Sequence, residues 1–253
     1  MLGTEPAAAY RGTFAPDTAE PATGAELPPG WEGVYFPFDE PLSALREDGS
    51  PAGRVDLPVR RYVGEDTTFH RPLRYGETVE QTTRSGPVAE KQGRSGRLVF
   101  ADEIREYRAG GVLMVESTWH DVFLTGPGGG RPAEPAPVEP AARTTVTLDS
   151  RQLFRFSALT FNTHRIHYDR DWVREVEGLD DLLVHGPLTR ILLLDAARRH
   201  HPGRIVHRYA YRAAAPILVG TPITIAVTDT EVVATGPGGG LLATGRIEWG
   251  DDV

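Results

Sequence analysis

Two of the chain's eight histidines fall in one short run, His164-Arg165-Ile166-His167-Tyr168-Asp169, with Asn162 just before it. Imidazole exchanges protons near neutral pH, so this run is a candidate for general acid–base work. Downstream, Val184-His185-Gly186-Pro187-Leu188 puts a glycine at the mouth of a strongly apolar segment. If that segment is a helix, its first amides are unpaired and sit at the positive end of the dipole. Pro187 has no N–H, which leaves Gly186, and then Leu188, to stabilise an oxyanion developing on a carbonyl. Singly, each feature has a plainer explanation, as exposed loop histidines and an ordinary Pro-led helix start. Together they equip a site for addition or elimination next to a carbonyl. His164, His167 and Asp169 are also metal-ligand types, but an i, i+3, i+5 spacing in a loop matches no recognised ligand pattern, and no metal is expected.

The elements that must position these groups are legible in outline. Pro187-Leu-Thr-Arg-Ile-Leu-Leu-Leu-Asp-Ala-Ala-Arg-Arg-His200 opens with Pro and stops before Pro202-Gly203, the signature of a bounded helix. Its apolar residues cover most of the circumference, which predicts a buried helix wrapped by a curved sheet. Elsewhere the pattern is β-rich and doubled. Pro72-Leu-Arg-Tyr-Gly76-Glu-Thr-Val79 matches Pro216-Ile-Leu-Val-Gly220-Thr-Pro-Ile223, and each leads into an alternating strand, Val79 to Arg84 and Ile223 to Thr228. Each half then ends in a hairpin and a final strand, through Phe123 and Trp249 respectively. A duplicated unit accounts for this better than chance similarity of glycine turns.

Between the halves, residues 125–143 combine Gly and Pro with almost no large apolar side chain, and read as a linker. Residues 1–30, rich in Ala, Pro, Thr and Glu, read as linker or extended chain. The expected organisation is a first unit over 1–124, the linker over 125–143, and a second, chemistry-bearing unit over 144–253.

Composition removes several classes. No stretch approaches the roughly 20 apolar residues of a membrane span, and the first residues lack the basic-then-apolar pattern of a secretory signal. The chain has no cysteine, which excludes disulfides, thiolate metal sites and thiol nucleophiles. A cytoplasmic location is the expectation that fits. A net charge of −8 argues against nucleic acid as partner.

Phe156-Ser-Ala-Leu-Thr-Phe-Asn162-Thr-His164-Arg-Ile-His167-Tyr-Asp169, followed by Val184-His-Gly-Pro-Leu188, closely resembles the MaoC-like hydratases. The branch it looks most like is that of the mesaconyl-CoA hydratases and type 2 3-hydroxyacyl-thioester dehydratases. Leu27-Pro-Pro-Gly-Trp31, Tyr35-Phe36, Phe69-His-Arg-Pro-Leu73 and Lys91-Gln-Gly-Arg-Ser-Gly-Arg-Leu-Val-Phe100 look like the same branch, so the resemblance spans residues 26–249. It implies an α+β double hotdog, two fused antiparallel-sheet units each wrapped around a helix. It implies hydro-lyase activity without a cofactor: reversible syn addition of water to an enoyl thioester, on CoA or a carrier protein, giving an (R)-3-hydroxyacyl thioester. Carried over residue by residue, His167 matches the family histidine and Gly186 the oxyanion donor. Asn162 stands five residues before His167, where simpler members have Asp. An amide orients water but cannot take its proton, so His167 is expected to do most of the acid–base work.

His164, Arg165, Tyr168, His185 and Arg190 are candidate substrate-binding residues, and Arg71, Arg165 and Arg190 candidate phosphate contacts, with a structural role the simpler account of each arginine. Trp31, Tyr35 and Phe36 are candidates to cap an acyl tunnel, with core packing again simpler. The first half has no matching Asn-to-His signature and is expected to shape the acyl pocket. A homodimer is compatible with the sequence. A thioesterase, or a non-catalytic acyl-thioester binder, remains the alternative.

Overall fold

The computed structural model describes residues 1–52, 55–93, 96–126 and 140–250. The first half contributes β1 (Val59–Phe69), β2 (Val79–Gly93), β3 (Gly96–Ala109) and β4 (Val112–Leu124). The second contributes β5 (Ala142–Val146), β6 (Val206–Ala213), β7 (Ile223–Val227), β8 (Glu231–Thr235) and β9 (Leu241–Trp249). They form one nine-stranded antiparallel sheet in the order β2-β3-β4-β1-β6-β9-β8-β7-β5. Outward from the central β1–β6 pair, both halves run in the same sequence: first strand, fourth, third, second. The duplication read from the Gly76 and Gly220 turns is thus the symmetry of the sheet, with β5 as an extra edge strand on the second half.

Strand patterning follows burial. Ile223, Ile225 and Val227 of β7 point into the core while Thr224 and Ala226 do not, the period of two that sets a strand's face. The buried helix is α4 (Gly186–His200), in which every residue from Leu188 to Ala197 is buried, in contact with β1, β6, β7, β8 and β9. Among the described residues the first half has no helix of that length ahead of β1. It carries α1 (Glu5–Phe14) and short 3-10 turns at Trp31–Val34 and Leu42–Ala44.

The N-terminal segment departs from the expectation of linker or extended chain. Pro6 in the first turn and the Ala7-Ala-Ala9 run start α1, and its tertiary contacts keep it helical. Tyr10 is fully buried, edge-on to Trp31 at 4.6 Å, with its hydroxyl 3.4 Å from Asp195 of α4. Trp31 donates to the same carboxylate at 3.0 Å, Tyr35 bonds the Gly3 carbonyl at 2.8 Å, and Phe36 meets Tyr107. These aromatics are core, and none of the three caps the cavity described below. Most of the expected 125–143 linker lies outside the described residues, and 142 and 143 already belong to β5.

Candidate active site

The chain enters the site from α2 (Ser150–Thr160). Asp149 caps α2 reciprocally with Gln152, each side chain accepting from the other's backbone N–H, which satisfies two otherwise orphaned amides. Phe161 ends the helix at φ 51°, a left-handed conformation costly for a side chain with a Cβ. The turn delivers Asn162 to the mouth of a cavity of about 390 Å3 between the two halves. The 3-10 turn Arg165–His167 and short helix α3 (Arg170–Glu175) follow, and α4 begins across the cavity.

Asn162, His164, His167 and Gly186 all line this cavity. The His167 ring is buried and places Nδ1 2.9 Å from the Leu183 carbonyl. A carbonyl only accepts, so Nδ1 carries the hydrogen and Nε2 is the basic nitrogen. Burial pulls the His167 pKa down to about 4, against a weaker upward pull from the Leu183 bond. The ring is therefore neutral at physiological pH, with a lone pair to accept a proton. Asn162 accepts from the His164 amide through Oδ1 at 3.1 Å. That bond fixes the amide orientation and leaves Nδ2 as a donor.

Gly186 is the first residue of α4, and its N–H has no acceptor within the helix. A Cβ there would lie 3.0 Å from Tyr62 Cε1 and closer still to Cδ1. Only glycine lets the helix mouth approach the Tyr62 ring this closely. Tyr62 stacks on Tyr211 and packs against Trp119, forming an aromatic wall.

Two charged residues from β1 complete the lining. Arg60 pairs with Asp121 at 2.6 Å, and Arg61 pairs with Glu177 at 2.6 Å. A turn from the first half, Arg46–Pro51, clasps the histidine loop from outside. The Asp48 carbonyl accepts from the Arg165 amide at 2.7 Å and the Gly49 carbonyl from Thr163 Oγ1 at 2.8 Å. At Gly49, φ is 78° and a Cβ would lie 2.8 Å from the Thr163 carbonyl carbon, so the clasp requires glycine. The Asp48-Gly49 pair is a turn signal, but nothing in the sequence says that it closes on residues more than a hundred positions away.

Four of the five candidate substrate-binding residues lie elsewhere. Arg165 pairs with Asp169 at 2.7 Å and lies over the Trp172 ring, which ties the loop together. Tyr168 is exposed and bonds the Thr163 carbonyl. His185 is fully buried behind His167, its ring stacked on it and its Nε2 2.9 Å from Ser157 Oγ. Arg190 sits inside the molecule, bonded to Thr67 at 2.7 Å and facing Glu32 and Glu65 at 3.2 and 3.4 Å. The reason is geometric for both: the first turn of α4 presents Gly186 to the cavity, while His185 faces α2 and Arg190 faces β1. Arg71 borders a separate hollow near the end of β1.

Asp48, His164 and Glu177 bring three ligand-type atoms within 4.8 Å of one another. One Asp48 oxygen already accepts twice from Ser50, and Glu177 is held by Arg61. The Arg61 guanidinium held against Glu177 puts a positive charge beside these atoms, which disfavours a cation there.

The family model for hydroxyacyl-thioester dehydratase type 2 matches residues 30–219. The chain belongs to that family. It is 35% identical to a mesaconyl-C(4)-CoA hydratase of Chloroflexus aurantiacus across 96% of this chain and 91% of the relative. A mitochondrial hydroxyacyl-thioester dehydratase type 2 of Schizosaccharomyces pombe matches at 31% identity over 31% of this chain and 27% of the relative. Among solved structures, a MaoC-like dehydratase from Phytophthora capsici superposes with a TM-score of 0.70 at 14% identity, covering 99% of this chain and 94% of that one. A Mycobacterium tuberculosis protein described as a double hotdog gives 0.68 at 15% identity, covering 98% and 92%. At these identities the structures establish the fold: the family member described here is an α+β double hotdog.

Proposed function

We propose that the protein is a hydro-lyase that reversibly adds water across the double bond of an enoyl thioester. The observation that carries this reading is the pairing of a neutral His167, its free lone pair on Nε2, with the unbonded Gly186 amide across one cavity. In hydration, Asn162 Nδ2 donates to the water oxygen and His167 Nε2 takes a proton as that oxygen bonds to C3. The π electrons move to the thioester oxygen, where the Gly186 N–H stabilises the enolate. His167 then returns its proton to C2 and the thioester carbonyl reforms. Dehydration is the same path reversed.

Thioester hydrolysis fits less well. It needs water activated beside the carbonyl carbon or a carboxylate nucleophile, and Asp121, the one carboxylate lining the cavity among the described residues, is engaged by Arg60 and Trp119. Arg60 and Arg61 are paired with Asp121 and Glu177, and the donors those bonds leave over, Arg60 Nη1 and Arg61 Nε, suit an acyl group bearing a carboxylate, of the kind named for the Chloroflexus hydratase. CoA is the carrier named for that relative, and CoA thioesters are the natural first substrates.

The test is direct. Purified protein is incubated with crotonyl-CoA and mesaconyl-CoA, following both the conjugated enoyl absorbance and free thiol. Loss of absorbance without thiol release is expected, faster with the diacid. Thiol release would make the protein a thioesterase, and saturable binding with neither change would make it a binder.

A further inference from the structure

The hydration step leaves one hydrogen of the water without a partner. A water between C3 and the loop donates one hydrogen to His167 and accepts from Asn162, so its second hydrogen needs an acceptor that Asn162, with Oδ1 committed to the His164 amide, cannot be. His185 lies closer to His167 but does not reach the cavity, so the second base available there is His164. Its ring meets that of His167 edge-on with centroids 5.6 Å apart, and both line the cavity.

The environment of His164 orders its two nitrogens. Nε2 is buried, makes no hydrogen bond and points at Asp48 Oδ2, 3.7 Å away. Asp48 itself is held rigidly, its Oδ1 accepting from the amide and hydroxyl of Ser50 at 2.8 and 2.6 Å. A carboxylate facing Nε2 favours the tautomer with hydrogen there, leaving Nδ1 as the nitrogen with a lone pair for the cavity. Burial is the main force keeping the ring neutral, reinforced by His167 and by Arg61, Arg60 and Arg46 around it, and the carboxylates of Asp48 and Glu177 lie close to its Nε2 side.

We propose that His164 is the second catalytic histidine, accepting the other hydrogen of the water through Nδ1, with Asp48 of the first half as its positioning residue. On this assignment the first half supplies more than pocket shape. The carboxylate absent at Asn162 re-enters the site through the Arg46–Pro51 clasp, one residue removed from the water. No proton leaves the pair in the net reaction. His167 accepts and returns the transferred proton, and His164 fixes the water's orientation and shares its developing charge.

This inference rests on the hydratase reading, and the experiment separates the two. Wild-type protein is assayed first with crotonyl-CoA and mesaconyl-CoA, and its turnover establishes the reading. His164→Gln and His164→Asn are then compared with Asp48→Asn and the double variant His164→Gln/Asp48→Asn, each checked for wild-type melting behaviour. His164→Gln is expected to lower kcat by about 100-fold with little change in KM, as for loss of a preorganised hydrogen-bond partner at a developing charge. Asp48→Asn should lower kcat by about 10-fold, and the double variant should be no slower than His164→Gln alone, since Asp48 acts only through that ring. His164→Asn, which keeps a polar atom near Nδ1, should recover part of the loss. Near-wild-type kcat in a folded His164→Gln, or multiplicative losses in the double variant, would overturn the assignment. So would inactivation by a chelator with recovery on adding zinc, which would make the same cluster a metal site.

Discussion

The imidazoles of His167 and His185 lie face to face, centroids 3.7 Å apart and planes 20° apart, and only the first reaches the cavity. Burial holds both neutral, and for His185 the proximity of the other histidines adds to it. A proton arriving on His167 therefore lands in an apolar site with a neutral ring behind it, where the imidazolium is costly and its return to carbon correspondingly favoured. The ring stack and the Leu183 bond together hold Nε2 on the cavity side. Acid strength and aim come from the same packing.

Gly186→Ala tests the oxyanion assignment through sterics. The added methyl overlaps the Tyr62 ring, so either the ring or the first turn of α4 must shift. A displaced N–H no longer meets the enolate oxygen, and loss of one such donor costs about 100- to 1,000-fold in kcat. KM should change little, because the contact strengthens only as charge develops. A variant that keeps wild-type kcat would move the oxyanion site elsewhere.

Asn162→Ala and Asn162→Asp separate holding the water from taking its proton. The alanine variant loses the Nδ2 donor, and a kcat about 10-fold lower is expected, a contribution of the size of one hydrogen bond to a polar reactant. The aspartate variant still accepts from the His164 amide but offers an acceptor where there was a donor. Its rate should acquire a new dependence on pH, visible in kcat/KM against pH, since a carboxylate now titrates beside His167. An unchanged profile would mean that residue 162 does not touch the water.

What the sequence made legible was local or periodic. The α4 pattern, the paired turns at Gly76 and Gly220 and the Asn162–His167 loop all depend on spacings within a few residues. The rest is long-range. Nothing near Asp48 announces that it sits against His164, and Arg60, Tyr62 and Asp121 enter the cavity only because β1 and β4 pair beside β6. Arg190 and His185 looked like site residues by proximity in sequence to Gly186, but one helical turn rotates each to a different neighbour. The start of α1 failed for a different reason. Ala and Pro are common to linkers and first helical turns alike, and only burial of Tyr10 against Trp31 and Asp195 decides between them.

Arg190→Met distinguishes a buried structural ion from a ligand contact. Arg190 is 2% exposed and its charge is matched by Glu32 and Glu65, themselves buried. Burial raises the Glu32 pKa even with Arg190 present, the guanidinium only partly opposing it. Removing the arginine leaves two carboxylates facing one another in the core, a loss of about 3–5 kcal/mol. The expected outcome is a large drop in urea midpoint with KM for the CoA thioester unchanged in the folded fraction. A raised KM at intact stability would return Arg190 to substrate binding.

Acid should destabilise the protein through its histidines before it protonates most carboxylates. His167 titrates at about 4 when folded against 6.5 for the free side chain, so between those values the unfolded chain holds a proton that the folded one does not. Stability is complete above pH 6.5 and is lost as pH falls toward 4, by about 3 kcal/mol for this residue. His164 and His185 shift in the same direction. Asp195 opposes them, because burial lifts its pKa from 3.8 to about 6 and makes the folded state the better proton binder in that range. Glu32, whose pKa burial also raises, acts in the same direction as Asp195, so three histidines against two carboxylates leave a smaller net loss on acidification, measurable as a positive slope of unfolding free energy against pH between 4 and 6.5. His185→Phe, which keeps an aromatic ring against His167, should reduce that slope by about one proton, or 1.4 kcal/mol per pH unit. A flat profile in the wild type would count against neutral buried histidines in the folded state, and an unchanged slope in the variant would mean that His185 itself stays protonated there.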